Sequence, residues 1–261
     1  MSEVTTTNGA LPTTIDEDAF IKAAMSNKGF TKDEGTIPFM RVMQPLSPQV
    51  GTILGVTAGG FLNLATNKFE KELLVIPVDV RWNYTEWSAP QGEGGQFVMD
   101  WGSNESGWQE KCAGDQKFAY QPVTTDGHII LKARHFYLFS IDEIGDYERS
   151  IFPMYATALK IAKVWSTMLQ YAPKVQTSRG MMTPAYFYYT YKLTLDEVKN
   201  TRNQRWFQPK VTANITDNKY QTVFDLPNGK AIWEAAVKLR EDLDSGEAKA
   251  TAQEGQGDDT Y

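Results

Sequence analysis

Apolar and polar positions change period several times along this chain, and each change marks an element. Residues 72–80 (ELLVIPVDV) are β-branched and almost continuously apolar, the pattern of a buried strand, and Pro77 within them predicts an edge or a bulge. Residues 128–141 (HIILKARHFYLFSI) suit one bent strand or two consecutive ones, and 38–43 (PFMRVM) predict a shorter strand closed by Pro45 and Pro48. Helical spacing takes over at 153–171. There Met154, Ala158, Ile161, Ala162, Trp165, Met168 and Leu169 share a stripe that leaves Lys160 and Lys163 outside it, and Pro173 ends the helix. Period two returns at 184–194 (PAYFYYTYKLT), which puts Tyr186, Tyr188, Thr190 and Lys192 on one face of a strand and Phe187, Tyr189, Tyr191 and Leu193 on the other. A further strand is expected at 206–213, a turn at Asn228-Gly229, and an amphipathic helix over 229–243. Residues 99–122 read as a long loop or irregular hairpin.

The ends differ from the middle. Residues 1–12 are polar, and Thr14-Ile15-Asp16-Glu17 has the form of a capping box ahead of a short helix over 15–26. Beyond Ser245 the chain is Gly, Ala, Glu, Gln and Asp, the composition of a disordered segment. The expected organisation is therefore an N-terminal arm over 1–35, a β-rich α+β body over 36–243, and an acidic tail over 244–261.

Charge sharpens that division. The formal net charge is −6. From Glu241 onward seven acids face Lys249 alone, and residues 1–35 carry six acids against three lysines, so the body between them is net +3. Within it, 160–210 hold Lys160, Lys163, Lys174, Arg179, Lys192, Lys199, Arg202, Arg205 and Lys210 against Asp196 and Glu197 only. Trp165, Tyr171, Tyr186, Phe187, Tyr188, Tyr189, Tyr191, Trp206 and Phe207 are interleaved with these cations. Cations neutralise phosphates and flat rings stack on unpaired bases, so this mixture suits single-stranded nucleic acid gripped without sequence reading. The alternative is a ring core beneath a solvated charged face. Arg81, Trp82, Tyr84 and Trp87, ahead of the glycine-rich 91–95, offer a second stacking candidate or else a packed corner.

Catalytic chemistry has little support. His128 and His135, seven residues apart on an expected strand, fall on opposite faces, and one cysteine, Cys112, provides neither a zinc site nor an internal disulfide. No P-loop, Gly-x-Ser-x-Gly elbow or dinucleotide fingerprint occurs. Asp142, Glu143, Asp146 and Glu148 suit either Mg²⁺ ligation in a nuclease or a charged turn. The residues point to a binding protein rather than an enzyme, with no cofactor. The lone cysteine fits a reducing cytosol. No apolar run reaches the roughly 20 residues of a membrane span, and MSEVTTTNGALPTT holds no secretory leader pattern.

A β-rich body, rings among cations and an acidic tail ending Asp258-Asp259-Thr260-Tyr261 resemble the replication single-stranded DNA-binding proteins of tailed bacteriophages. Residues 37–48, with Leu74-Val75-Ile76-Pro77-Val78, are similar to phage early proteins. The resemblance implies an OB-like antiparallel barrel with added helices, in the host cytoplasm, acting in DNA replication or recombination. Arg81, Trp82, Tyr84, Trp87, Lys160, Lys163, Arg179, Tyr186, Tyr188, Lys192, Lys199, Arg202, Arg205, Trp206 and Lys210 are the expected DNA contacts. Asp258, Asp259 and Tyr261 would meet replication partners, and a homo-oligomer is compatible with the chain. A phage structural or scaffold protein and a Mg²⁺-dependent nuclease are the competing expectations.

Overall fold

The computed structural model describes residues 37–88, 97–119, 121–201 and 203–246, all within the unit Ile37–Tyr261. The expected helix over 15–26, the glycine-rich 91–95, Arg202, and Asp258, Asp259 and Tyr261 of the tail lie outside the described residues. In chain order the first elements are β1 (Met40–Val42), β2 (Phe61–Asn63), β3 (Phe69–Glu70), β4 (Leu73–Trp87), β5 (Phe97–Gly102), α1 (Glu105–Gln109), β6 (Ile129–Ile141) and β7 (Tyr147–Tyr155). Then follow α2 (Leu159–Gln170), β8 (Val175–Thr177), β9 (Gly180–Met182), β10 (Tyr191–Lys199), β11 (Arg205–Ala213), β12 (Ile215–Thr216), β13 (Lys219–Tyr220) and α3 (Gly229–Ser245).

β4 organises the rest. The strand continues past the apolar run at Val80 to Trp87, and β6 pairs with it antiparallel from Leu74 to Trp87. The register shifts between Pro77 and Asp79, a bulge that accommodates the proline's missing N–H. On its other edge β10 pairs only Leu73 to Val75 and β5 only Tyr84 to Trp87. The main sheet therefore runs β11-β10-β4-β6-β7, with β5 beside the far half of β4. Each pairing is antiparallel.

The sheet does not close into a barrel. β1, β2 and β3 form a small separate sheet that spans between its two outer strands. Phe39 makes one parallel bridge to Ile151 of β7. At the other side the Gln44 side chain accepts from the Phe207 N–H at 2.8 Å and donates to its carbonyl at 2.9 Å. One bridge and one amide stand where a barrel has a ladder. The edge strand β11 contains Pro209, which cannot donate to a further strand. The expected OB-like closure is thus corrected to open antiparallel sheets with a few helices.

Helices cover both faces. On one, Val75, Phe136, Leu138, Phe152, Met154, Tyr191 and Leu193 pack against Ala162, Trp165 and Leu169 of α2. Trp165 stacks on Phe136 at 4.2 Å with the rings 9° apart. The helix begins later than expected because β7 keeps its strand period through Phe152 and Met154. On the other face, Ile76, Val78, Phe139, Ile141 and Ile151 meet Ile232, Ala236, Leu239 and Leu243, one stripe of α3. Asn228-Gly229 starts that helix. A Cβ at Gly229 would lie 2.2 Å from the Val223 carbonyl oxygen, so only glycine lets the helix seat on the turn Val223–Asp225. No helix among the described residues is long and apolar enough to cross a membrane.

Candidate nucleic-acid interface

Burying Ala162, Trp165 and Leu169 turns Lys160, Lys163 and Val164 of α2 outward. Tyr171 caps the helix and is 76% exposed, and Pro173 diverts the chain. Opposite stands the β12–β13 hairpin, whose Asp217 and Asn218 take φ of 50° and 61°. Both short polar side chains tolerate the left-handed region, and such a two-residue turn matches strand twist. It places Tyr220, 41% exposed, across from α2. Between them opens a cleft of about 450 Å³, whose walls include Lys163, Met168, Tyr171, Pro173, Tyr191 and Tyr220. Among the described residues no carboxylate lines it.

Rings continue from the cleft around the edge of the sheet. Tyr220 lies 5.4 Å from Tyr189, Tyr189 4.9 Å from Tyr188, Tyr188 6.1 Å from Phe224, and Phe224 5.3 Å from Trp233 of α3. Phe224 is 52% exposed. The strand expected over 184–194 is only half present. Tyr186–Tyr188 form a 3-10 turn closed by the Tyr188 N–H on the Ala185 carbonyl, and β10 begins at Tyr191. The turn lies along the part of β4 that neither β10 nor β5 pairs, and it distributes its rings to both cores. Phe187 enters the α3 side and Tyr189 the α2 side, where the Tyr189 hydroxyl donates to the Pro173 carbonyl at 3.1 Å. Tyr186 remains exposed; Tyr188 is half-buried among Tyr189, Phe224 and Trp233.

The β4 cluster divides between the two faces. Arg81 points to α3, where its guanidinium binds Asp79, the Leu243 carbonyl at 2.8 Å and Asp244 at 2.7 Å. Burial lowers the Arg81 pKa, but the Asp79 hydrogen bond and charge outweigh it and raise it above the usual value. Trp82 turns the other way, 42% exposed, with the Arg134 guanidinium 4.7 Å above its ring. No carboxylate pairs with Arg134 among the described residues, and burial lowers its pKa. Tyr84 and Trp87 are buried, Tyr84 against Trp108 at 5.3 Å and Trp87 donating to the Thr85 hydroxyl at 3.1 Å.

Of the remaining cations, Lys192 stands 3.9 Å from Glu72, Arg205 3.2 Å from Glu197 and Lys210 3.4 Å from Asp196. Lys160, Lys163, Lys174, Arg179 and Lys199 are exposed and form no ion pair among the described residues. Trp206 is half-buried and its indole nitrogen has no partner there. Arg134, Tyr220, Phe224 and Trp233 were absent from the expected contacts. The Asp217-Asn218 pair between β-prone residues was the available trace of the hairpin that carries Tyr220.

The groups considered for chemistry are otherwise engaged. Asp142 Oδ1 accepts from the Ile144 and Asp146 N–H groups, at 3.1 and 2.8 Å, making the acidic run the turn between β6 and β7. No group of three or more His, Cys, Asp or Glu side chains is placed to hold a metal ion among the described residues. His128 precedes β6 and its Nδ1 lies 2.8 Å from Glu86, while His135 is buried against Phe39. Burial pushes the Glu86 carboxyl up, but hydrogen bonds from His128 and Trp101 and the nearby Lys111 bring it below the usual carboxylate value. Burial also pushes the Cys112 thiol up, which disfavours the thiolate.

A sequence family described as Pam3 phage gp34-like protein matches residues 5–249. The chain belongs to that family. Its membership makes this a phage protein, in keeping with the resemblance of its layout to phage proteins. No curated protein and no solved structure matches the chain.

Proposed function

We propose that this phage protein binds single-stranded DNA without reading its sequence and serves DNA replication or recombination, as a non-enzymatic binding protein. The observation that carries the reading is the continuous line of rings from the α2 cleft through Tyr220, Tyr189, Tyr188 and Phe224, beside lysines that no carboxylate neutralises among the described residues. Bases stack on the exposed rings of Tyr220 and Phe224 irrespective of identity, with Tyr189 and Tyr188 packed between them, and Lys160, Lys163 and Lys174 neutralise the backbone. Trp82 with Arg134 offers a second ring-and-cation pair on the α2 side of the sheet. Asp258, Asp259 and Tyr261 are proposed to engage replication partners.

Titration with poly-dT at low salt tests this. Bound DNA quenches tryptophan and tyrosine fluorescence, and log K falls with log salt. Five unpaired cations on phosphates give a slope of about −3.5, at about 0.7 per contact for single strands. No quenching and no mobility shift refutes the reading.

A phage structural protein is the second reading, favoured by one feature. Phe97, Val98 and Met99 of β5 are all exposed on a strand whose outer edge is unpaired among the described residues, an edge open to strand addition. Large assemblies by light scattering, together with salt-independent behaviour towards DNA, would select it.

A further inference from the structure

The cleft differs in kind from the ring line beside it, because it is concave. We infer that the space between the end of α2 and the β12–β13 hairpin seats a single unstacked nucleobase, with Lys163 meeting the adjoining phosphate. The inference rests on single-stranded DNA binding and assigns one fixed position along the strand.

Size, walls and charge agree. A volume of about 450 Å³ falls within the roughly 300–1,000 Å³ typical of small-ligand sites. The walls are the rings of Tyr171, Tyr191 and Tyr220 together with Met168 and Pro173, flat or deformable apolar surfaces suited to a planar heterocycle. Lys163 is the charged member of the lining and has no carboxylate partner among the described residues, so an anion entering there meets no competing salt bridge. Tyr191 is 2% exposed, lines the cleft, and forms no hydrogen bond through its hydroxyl within the described residues. Burial drives its pKa well up, so it keeps its proton and can donate to a base carbonyl or ring nitrogen.

The neighbouring rings make the seat directional. Beyond Tyr220 the line passes only towards Tyr189, Tyr188 and Phe224, whereas the opposite wall is the last turn of α2. A strand with one base in the cleft has its next bases directed past Tyr220 towards exposed Phe224, over the packed rings of Tyr189 and Tyr188, which fixes a starting point without selecting a sequence. Stacking on tyrosine tolerates every base.

The test compares a labelled dT oligonucleotide of about 15 nucleotides with an abasic deoxyribose-phosphate oligomer of equal length, read by fluorescence anisotropy at low salt. Tyr220→Ala and Tyr171→Ala each weaken dT binding roughly 5- to 150-fold, the range of one lost base stack, and leave abasic binding unchanged. Val164→Trp, at an exposed α2 position on the cleft wall, fills the space without touching the core and weakens dT binding to a similar extent. All three variants melt as the parent does, since each site is solvent-facing. If dT binds the parent but Tyr171→Ala and Val164→Trp keep parental affinity while Tyr220→Ala and Phe224→Ala lose it, the seat is wrong and the ring line stands. Equal loss on dT and abasic oligomers also overturns it, because the cleft then acts only through charge or shape. If the parent binds no dT, the seat falls together with the DNA-binding reading.

Discussion

Buried His135 makes the fold sensitive to acid. It is buried on the α3 side of β6, edge-on to Phe39 at 5.6 Å, and burial lowers its pKa from 6.5 to about 4. Above pH 6.5 the ring is neutral in folded and unfolded chains alike, so it contributes no pH dependence. Below 6.5 the unfolded chain takes up the proton first, and stability falls by about 1.4 kcal/mol per pH unit until the folded ring titrates near 4. The total is about 3 kcal/mol. Urea denaturation of His135→Phe across pH 7 to 4 should therefore show a flatter decline than the parent. A decline identical to the parent's would show that His135 is not the titrating group. Glu86 acts in a lower range. Its folded pKa lies below the usual carboxylate value, so its stabilisation is present above that value and is lost as pH falls through the folded one.

At the scale of elements, one buried carboxylate reinforces the apolar attachment of α3 to the sheet. Asp79, displaced onto the α3 face by the bulge beside Pro77, accepts from Arg81 and from Arg240 of α3, while Asp244 and the Leu243 carbonyl bind the rest of the Arg81 fork. Asp79→Asn leaves two guanidinium groups close together without their shared charge. Both are roughly one-third exposed, which discounts the usual cost of breaking a buried pair to about 2 kcal/mol. Hydrogen exchange should rise in α3 before it rises in α2; uniform acceleration would assign Asp79 a general stabilising role instead.

The same scale shows what can be read from the chain. β4, β6, β11, α2 and α3 were legible, the strands as apolar or β-branched runs and the helices as stripes at helical spacing, whereas only 191–194 of β10 fell within the expected strand. β5 with α1, and the β8–β9 and β12–β13 hairpins, are short and largely solvent-exposed, so they leave little periodic trace. The run 184–190 misled because rings on both sides fit a strand as well as a turn that sends Phe187 and Tyr189 to opposite cores. Gln44 reaching Phe207 across 163 positions has no local pattern at all, so whether the sheet closes was invisible. Arg134 became a site residue only through its register opposite Trp82.

At the scale of the whole molecule, a net charge of −6 conceals opposed regions, and the tail tests whether they interact. The fold fixes where the cut belongs. Leu243 is buried, Asp244 binds Arg81 and Arg240, and Gly246, with φ of +79°, closes α3. Deleting 247–261 therefore spares the helix, whereas a cut before Leu243 would remove part of the core. The deletion takes away Glu247, Glu254, Asp258 and Asp259 with Lys249, bringing the net charge to −3. If these acids compete with DNA for Lys160, Lys163 and Lys174, affinity for poly-dT should rise. Exposed charge pairs are worth less than about 1 kcal/mol each, so a gain of roughly tenfold or less is expected at low salt. It should disappear near 1 M salt, where the Debye length falls to about 3 Å. Removing Tyr261 alone should leave DNA affinity unchanged and weaken a replication partner that reads the terminal ring. Equal affinity of intact and truncated protein at low salt would rule out competition and leave the tail a role in partner binding or solubility.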